Sequence, residues 1–340
     1  MELYLDSADF NEISKAFELG FLTGLTTTPT FMHREGITNI DEAIKKLATM
    51  VPVLQIEALG NNANEICQEA HRLLGLDLDK EKTVFKIPVS LEGVKACKIL
   101  VQEGLKVNIH LVYTLQQAYM AMIAGATYIC PLVGRLQDQG HDALTLVEQC
   151  VDAVNYYEYP SKIMFSSVRH IEHVRNAINI GVHAITVPLK VLKQLTENAF
   201  TSLGTNQFFT HTKLITLKVK DIIREDNPTV TTEDTVLNAT VKMTESGLGA
   251  VSVLDHNSNL TGVFTDGDLR RALKAEGDTI LSKKMSEFKF NYPITVEAEE
   301  LVEEAVKLIK EKRIDNIVVT NKGKLYGMLD IQDLIKLNVI

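Results

Sequence analysis

A lysine stands inside an apolar stretch, Thr83-Val-Phe-Lys86-Ile-Pro-Val89, where the neighbouring side chains are expected to be buried. Lysine is almost never fully buried without a reason. Burial disfavours a charged amine, and the free amine is the species that attacks a ketone to form a Schiff base. The alternative for the same residue is a structural ion pair with Glu57 or Asp6. Those two acids each close a short apolar run. Cleaving a carbon–carbon bond beside an iminium needs a base for the hydroxyl proton, and forming the iminium needs a proton shuttle, so two carboxylates suit the chemistry. Taken singly, either is equally an N-cap or an ion-pair partner. Arg135 in Leu-Val-Gly-Arg and Arg169 in Ser-Ser-Val-Arg follow further apolar runs. A forked guanidinium fits a substrate phosphate, although a lone surface arginine is more often simply solvated.

The elements that must position these residues are legible as an alternation. Apolar runs at 3–5, 24–28, 53–57, 83–88, 106–112, 128–133, 163–167 and 184–188 are separated by amphipathic stretches with helical spacing. Eight strand–helix units in about 210 residues predict an α/β fold of the (β/α)₈ TIM-barrel kind, whose chemistry sits at the C-terminal strand ends. Those ends read Asp6, Thr28, Glu57, Lys86, His110, Cys130 and Ser167, a polar set. No G-x-G-x-x-G follows the first strand, which argues against a dinucleotide fold.

From about Ile215 the rhythm changes. Gly262-Val-Phe-Thr-Asp-Gly-Asp-Leu-Arg-Arg-Ala-Leu is echoed by Gly327-Met-Leu-Asp-Ile-Gln-Asp-Leu-Ile-Lys-Leu, an internal repeat of about sixty residues. The expected organisation is a barrel over 1–212 and two modules over 217–275 and 282–340. The connection near 210–215 carries no Gly/Ser or Pro run, so loose tethering is not expected.

Net charge is −9 with the acidity spread along the chain, and no basic stripe marks a nucleic-acid binder. No apolar run is long enough for a membrane span, and the N-terminus lacks the features of a signal peptide. A cytoplasmic location and small-molecule partners are the expectation. Cys67, Cys97, Cys130 and Cys150 show no C-x-x-C spacing and the histidines form no ligand motif, so neither a disulfide framework nor a metal site is expected.

The stretches Leu-Tyr-Leu-Asp6, Gly24-Leu-Thr-Thr-Thr-Pro29, Val-Phe-Lys86-Ile-Pro-Val, Gly-Ala-Thr-Tyr-Ile-Cys-Pro-Leu-Val-Gly-Arg135 and Ile-Thr-Val-Pro188 occur in order along the barrel. In them residues 1 to about 211 resemble the transaldolases, particularly the short subfamily that includes fructose-6-phosphate aldolase. The resemblance implies Lys86 as the Schiff-base residue, Asp6 as acid/base and Glu57 as the group that positions a catalytic water. It places Thr26, Thr28, Asn108, Cys130 and Ser167 around the substrate, and Arg135 and Arg169 on a phosphate. It implies sugar phosphate substrates, no cofactor for catalysis, and a homo-oligomer. Glu rather than Gln at position 57 implies dihydroxyacetone transfer rather than simple release. Three departures stand out: Thr28 where the family has Asn, His110 where transaldolases have Thr, and Cys130 where they have Ser. They imply a changed sugar, with His110 taking part in proton transfer; an aldolase of a specialised sugar phosphate and a non-catalytic sensor are the alternatives.

The C-terminal repeat resembles tandem CBS modules, most of all the pair appended to arabinose-5-phosphate isomerases. That resemblance implies a regulatory adenine nucleotide or nucleotide-sugar held by Thr265 and Asp268. Asp333 is the matching ribose-binding candidate in the second module, with Asp330 repelling phosphate there. The same Asp-x-x-Leu pattern is also an ordinary helix start.

Overall fold

The computed structural model describes residues 1–224, 227–290 and 292–339 and divides into two compact units, Met1–Glu197 and Asn198–Ile340. In the first unit eight parallel strands close into a barrel in sequence order. They are β1 Glu2–Asp6, β2 Gly24–Thr26, β3 Leu54–Glu57, β4 Thr83–Pro88, β5 Lys106–Val112, β6 Tyr128–Pro131, β7 Lys162–Phe165 and β8 Ala184–Val187. The TIM-barrel expectation therefore holds, with strand ends trimmed by one to two residues where the chain turns into the next helix, at β2, β6, β7 and β8.

Local chemistry explains the punctuation. Asp9, Asn39, Asn62, Ser90 and Thr114 cap the helices that follow them, each side chain accepting a backbone N–H that the first turn leaves unpaired. The helix Leu91–Gln102 turns Ala96, Cys97 and Leu100 inward against the sheet. It begins directly behind the end of β4, and Gly93 permits this, because a Cβ there would lie 2.4 Å from the Pro88 carbonyl oxygen. Between sheet and helices runs one continuous apolar core, including Leu25, Ile56, Phe85, Ile109, Ile129, Phe165 and Ile185. All four cysteines are buried. No helix among the described residues is long and apolar enough to cross a membrane.

The second unit opens with the helix Ala199–Thr216, so residues 198–212, read from sequence as barrel, and the connection near 210–215 belong to one helix of this unit. Two three-stranded sheets follow. One has β9 Thr229–Thr231, β10 Ala250–Leu254 and β11 Leu260–Thr265 in the order β11-β10-β9; the other has β12 Thr295–Glu297, β13 Asn316–Asn321 and β14 Lys324–Asp330 in the order β12-β13-β14. The two modules exchange their leading segments. Leu217, Val219 and Ile222 pack into the core of the second sheet, whereas Leu281, Met285 and Phe288 pack into that of the first. The segments 217–275 and 282–340 are thus sequence repeats rather than separate packing units. Asn291 and the terminal Ile340 lie outside the described residues.

Candidate active site

Side chains alternate along a strand, so residues two apart on β1, β3, β4 and β5 enter the same lumen. Tyr4, Val84, Tyr128, Cys130, Met164 and Ala184 pack there as an apolar floor. The next layer up is polar. Asp6, Thr26, Thr28, Glu57, Lys86, Asn108, His110, Cys130, Arg135, Ser167 and Arg169, all the barrel residues singled out from sequence, line one cavity of about 650 Å³ at the C-terminal strand ends. That volume suits a small organic substrate.

Lys86 is 5% exposed. Its Nζ donates to the Thr27 carbonyl at 2.9 Å and lies 3.0 Å from Glu57 Oε1. The two readings left open for this lysine coexist: it is ion-paired, and it opens on a cavity. His110 Nε2 approaches the other Glu57 oxygen at 2.8 Å. The ring N–H is not aimed along that line, so both atoms keep hydrogen-bonding capacity that no described residue takes up.

The two carboxylates are driven apart. Burial pushes the Glu57 carboxyl up, but the Lys86 ammonium and the approach of His110 outweigh it and hold the group below the ordinary carboxylate range. Burial also acts on Asp6, and here it wins over Lys86 and the hydrogen bond from Thr26 Oγ1 at 2.9 Å, leaving Asp6 above its usual value. At rest Glu57 is thereby biased toward the ionised form and Asp6 toward holding a proton. Divergent environments of this kind assign acid/base roles. Burial lowers His110 more than Glu57 raises it, so its imidazole is neutral. Burial raises the Cys130 thiol to about 11, so it too is uncharged at neutral pH.

Strain gathers at the same mouth. Leu111 and Ser167, at φ +57° and +58°, are non-glycine residues in the left-handed region, each directly after a lining residue.

A model of the transaldolase/fructose-6-phosphate aldolase family matches residues 3–242. A probable transaldolase of Shouchella clausii is 37% identical over 209 residues, covering 61% of this chain and 95% of that protein. One from Coprothermobacter proteolyticus is 40% identical over 210 residues, covering 61% and 94%. The chain belongs to the transaldolase/fructose-6-phosphate aldolase family. Two CBS-domain matches, over residues 219–275 and 286–339, complete it. Among solved structures, a CBS domain protein of Pyrobaculum aerophilum described in complex with AMP is similar at 22% identity, covering 36% of this chain and 98% of that one, with a TM-score of 0.33.

Within this transaldolase-family barrel the sequence reading left out several groups. Gln55, two residues before Glu57 on β3, is buried and accepts from Asn108 Nδ2 at 2.7 Å. Strand three thus presents an amide as well as a carboxylate on one face. Alternation along β3 was the available signal. Thr186 on β8 meets Thr26 on β2 over the intervening β1, and Arg34 reaches the cavity rim from the helix Pro29–Arg34. Thr28, which stands where the family has Asn, also caps that helix by accepting the Phe31 N–H at 3.2 Å.

In the second unit the CBS candidates are engaged locally. Thr265 caps the helix Asp266–Glu276 in a reciprocal box with Asp268, whose other oxygen pairs with Arg271. Asp333 is 9% exposed and gripped by the Arg224 guanidinium, with Nε 2.9 Å from both carboxylate oxygens. Arg224 also donates to the Ser246 carbonyl of the other module. Asp333 is thus held in an ion pair with Arg224, a contact the sequence spacing does not reveal. Asp330 caps the helix Ile331–Lys336, its carboxyl raised by burial.

Proposed function

We propose that the barrel performs Schiff-base aldol chemistry on a ketose phosphate, with Lys86 as nucleophile. The observation that carries this is one amine, buried in a closed barrel, opening on a substrate-sized cavity between two carboxylates of opposite protonation bias. Glu57 takes a proton from the Lys86 ammonium, and the free amine adds to the substrate ketone. The carbinolamine hydroxyl leaves as water once protonated, with Glu57 and His110 handing on the proton through the water they position. Asp6 then removes the proton of the hydroxyl borne by the far carbon of the bond to be broken. The electron pair of that bond moves into the iminium, giving an enamine and a free aldehyde. Addition of an acceptor aldehyde reverses these steps and completes dihydroxyacetone transfer. Arg135 and Arg169 are the candidates for holding the phosphate.

Glu57 supports transfer; Gln55 on the same face supports a second reading in which the enamine is protonated and released, the lyase reaction. His110 and Thr28 support a donor other than the common sugar phosphates. We assign regulation to the CBS pair, through an adenine nucleotide or nucleotide-sugar at Thr265 and Asp268. The test is a panel of ketose phosphates, with and without an acceptor aldehyde, for the wild type and Lys86→Met. Acceptor-dependent product from the wild type, absent in the variant, supports transfer. Equal aldehyde release without acceptor supports the lyase, and no turnover by the wild type on any donor overturns the enzymatic reading.

A further inference from the structure

His173 is 1% exposed and takes no part in the chemistry above, yet both of its ring nitrogens are spent on the segments that carry two of the cavity's three arginines, Arg135 and Arg169. Nδ1 accepts the backbone N–H of Arg169 at 3.1 Å. Nε2 lies 2.6 Å from Gln137 Oε1, and Gln137 sits on the helix Val133–Asp138 that bears Arg135. A ring nitrogen that accepts an amide proton carries none itself, so Nε2 is the N–H that donates to Gln137. The imidazole is thus fixed as a neutral bridge, and burial with His170 and Arg169 nearby holds its pKa at about 4.

Other contacts hold the same two segments at close range. The Val133 N–H donates to the Ser166 carbonyl at 3.1 Å, and Arg169 pairs with Asp138 at 2.9 Å. A Cβ on Gly134 would lie 2.0 Å from the Ser167 carbonyl oxygen, so only glycine allows this approach. The Asp138–Arg169 pair is exposed and weakly held. The buried, doubly bonded imidazole is the stiffer link.

We propose that His173 is a positioning residue that sets the spacing of Arg135 and Arg169, and so determines how tightly the cavity grips a phosphate. This rests on the reading of those arginines as phosphate ligands. Two guanidinium forks bind one phosphate well only at a fixed separation. Without the bridge, the Arg169 backbone and the Arg135 helix each lose one tether, and the phosphate end of the substrate loosens while Lys86 is untouched.

The experiment compares glyceraldehyde 3-phosphate with glyceraldehyde as acceptor, in the wild type, His173→Ala and Gln137→Ala. Gln137 is exposed, so its variant keeps the test open if loss of the buried ring prevents folding. In both variants KM for the phosphorylated acceptor is expected to rise about tenfold with kcat nearly unchanged, while KM for glyceraldehyde stays within about twofold. The double variant should be no worse than the worse single one, since both cut the same link. A wild type that prefers the phosphorylated acceptor, with variants that leave both KM values alone or move both alike, overturns the positioning role. A wild type indifferent to the phosphate overturns the phosphate reading beneath it.

Discussion

Replacing Glu57 with Gln keeps the shape of the side chain and removes its charge. In the parent, Lys86 Nζ and Glu57 Oε1 are 3.0 Å apart with side chains only 6% and 5% exposed. Removing one partner of a buried pair costs about 3–5 kcal/mol, because the other charge is left in a poor solvent. Gln still accepts a hydrogen bond and Lys86 keeps the Thr27 carbonyl, which places the loss near the low end, about 3 kcal/mol. For a unit the size of Met1–Glu197, each kcal/mol moves Tm by about 2–4 °C, so the barrel transition should fall by about 6–12 °C at pH 7. The pH dependence carries the sign. The folded-state carboxyl of Glu57 is lowered, so its stabilising contribution is present above the ordinary carboxylate range and is lost as pH falls through the lowered folded value. Calorimetric scans of parent and Glu57→Gln should therefore show a gap that is wide at neutral pH and shrinks in acid. Turnover should fall by about 10²–10⁴, as for a lost acid/base group. A variant that melts with the parent at pH 7, or a gap that widens in acid, refutes the assignment of Glu57 as the ionised partner of Lys86.

Further outcomes follow from the same geometry. The raised folded carboxyl of Asp6 means that its stabilising contribution is present at low pH and lost as pH rises through the raised value. Asp6→Asn should thus be relatively more stable than the parent at neutral pH, with the advantage gone in acid, while activity drops by about 10² or more; calorimetry and initial rates check both. His110→Ala should lower turnover on the best donor by about 10², and fructose 6-phosphate and sedoheptulose 7-phosphate should be poor donors for the wild type; rates on a donor panel decide. For the CBS pair, a nucleotide at about 100 times Kd should stabilise the protein by about 2.7 kcal/mol. Asp268→Ala should abolish that ligand-dependent melting shift, apart from any ligand-independent loss from removing the acceptor of the Thr265 N–H in the capping box.

The barrel was legible because its signals are local and repeated. Eight apolar runs with helical stretches between them leave few other architectures, and the polar residue at each run's end places itself by alternation. Lys86 declared itself by standing among Val84, Phe85 and Ile87, all of which are fully buried. What the sequence hid depends on long-range approach. The bridge from His173 to Gln137 spans 36 residues and joins two helices whose relation only the closed barrel defines. The grip of Arg224 on Asp333 spans 109 residues and arises because the CBS modules exchange leading segments, which a repeat read in register conceals. The helix Ala199–Thr216 was missed for another reason: it carries Phe200, Phe208 and Phe209 exposed and has no buried face to give a clear period.

If Lys86 is the covalent residue, borohydride in the presence of a competent ketose will trap the substrate on it. The enamine and iminium forms exchange on the enzyme, so reduction of the iminium should leave the donor fragment attached to the peptide containing Lys86, and Lys86→Met should take up none. A fragment recovered on any other lysine, or equal labelling of the Lys86→Met variant, contradicts the account.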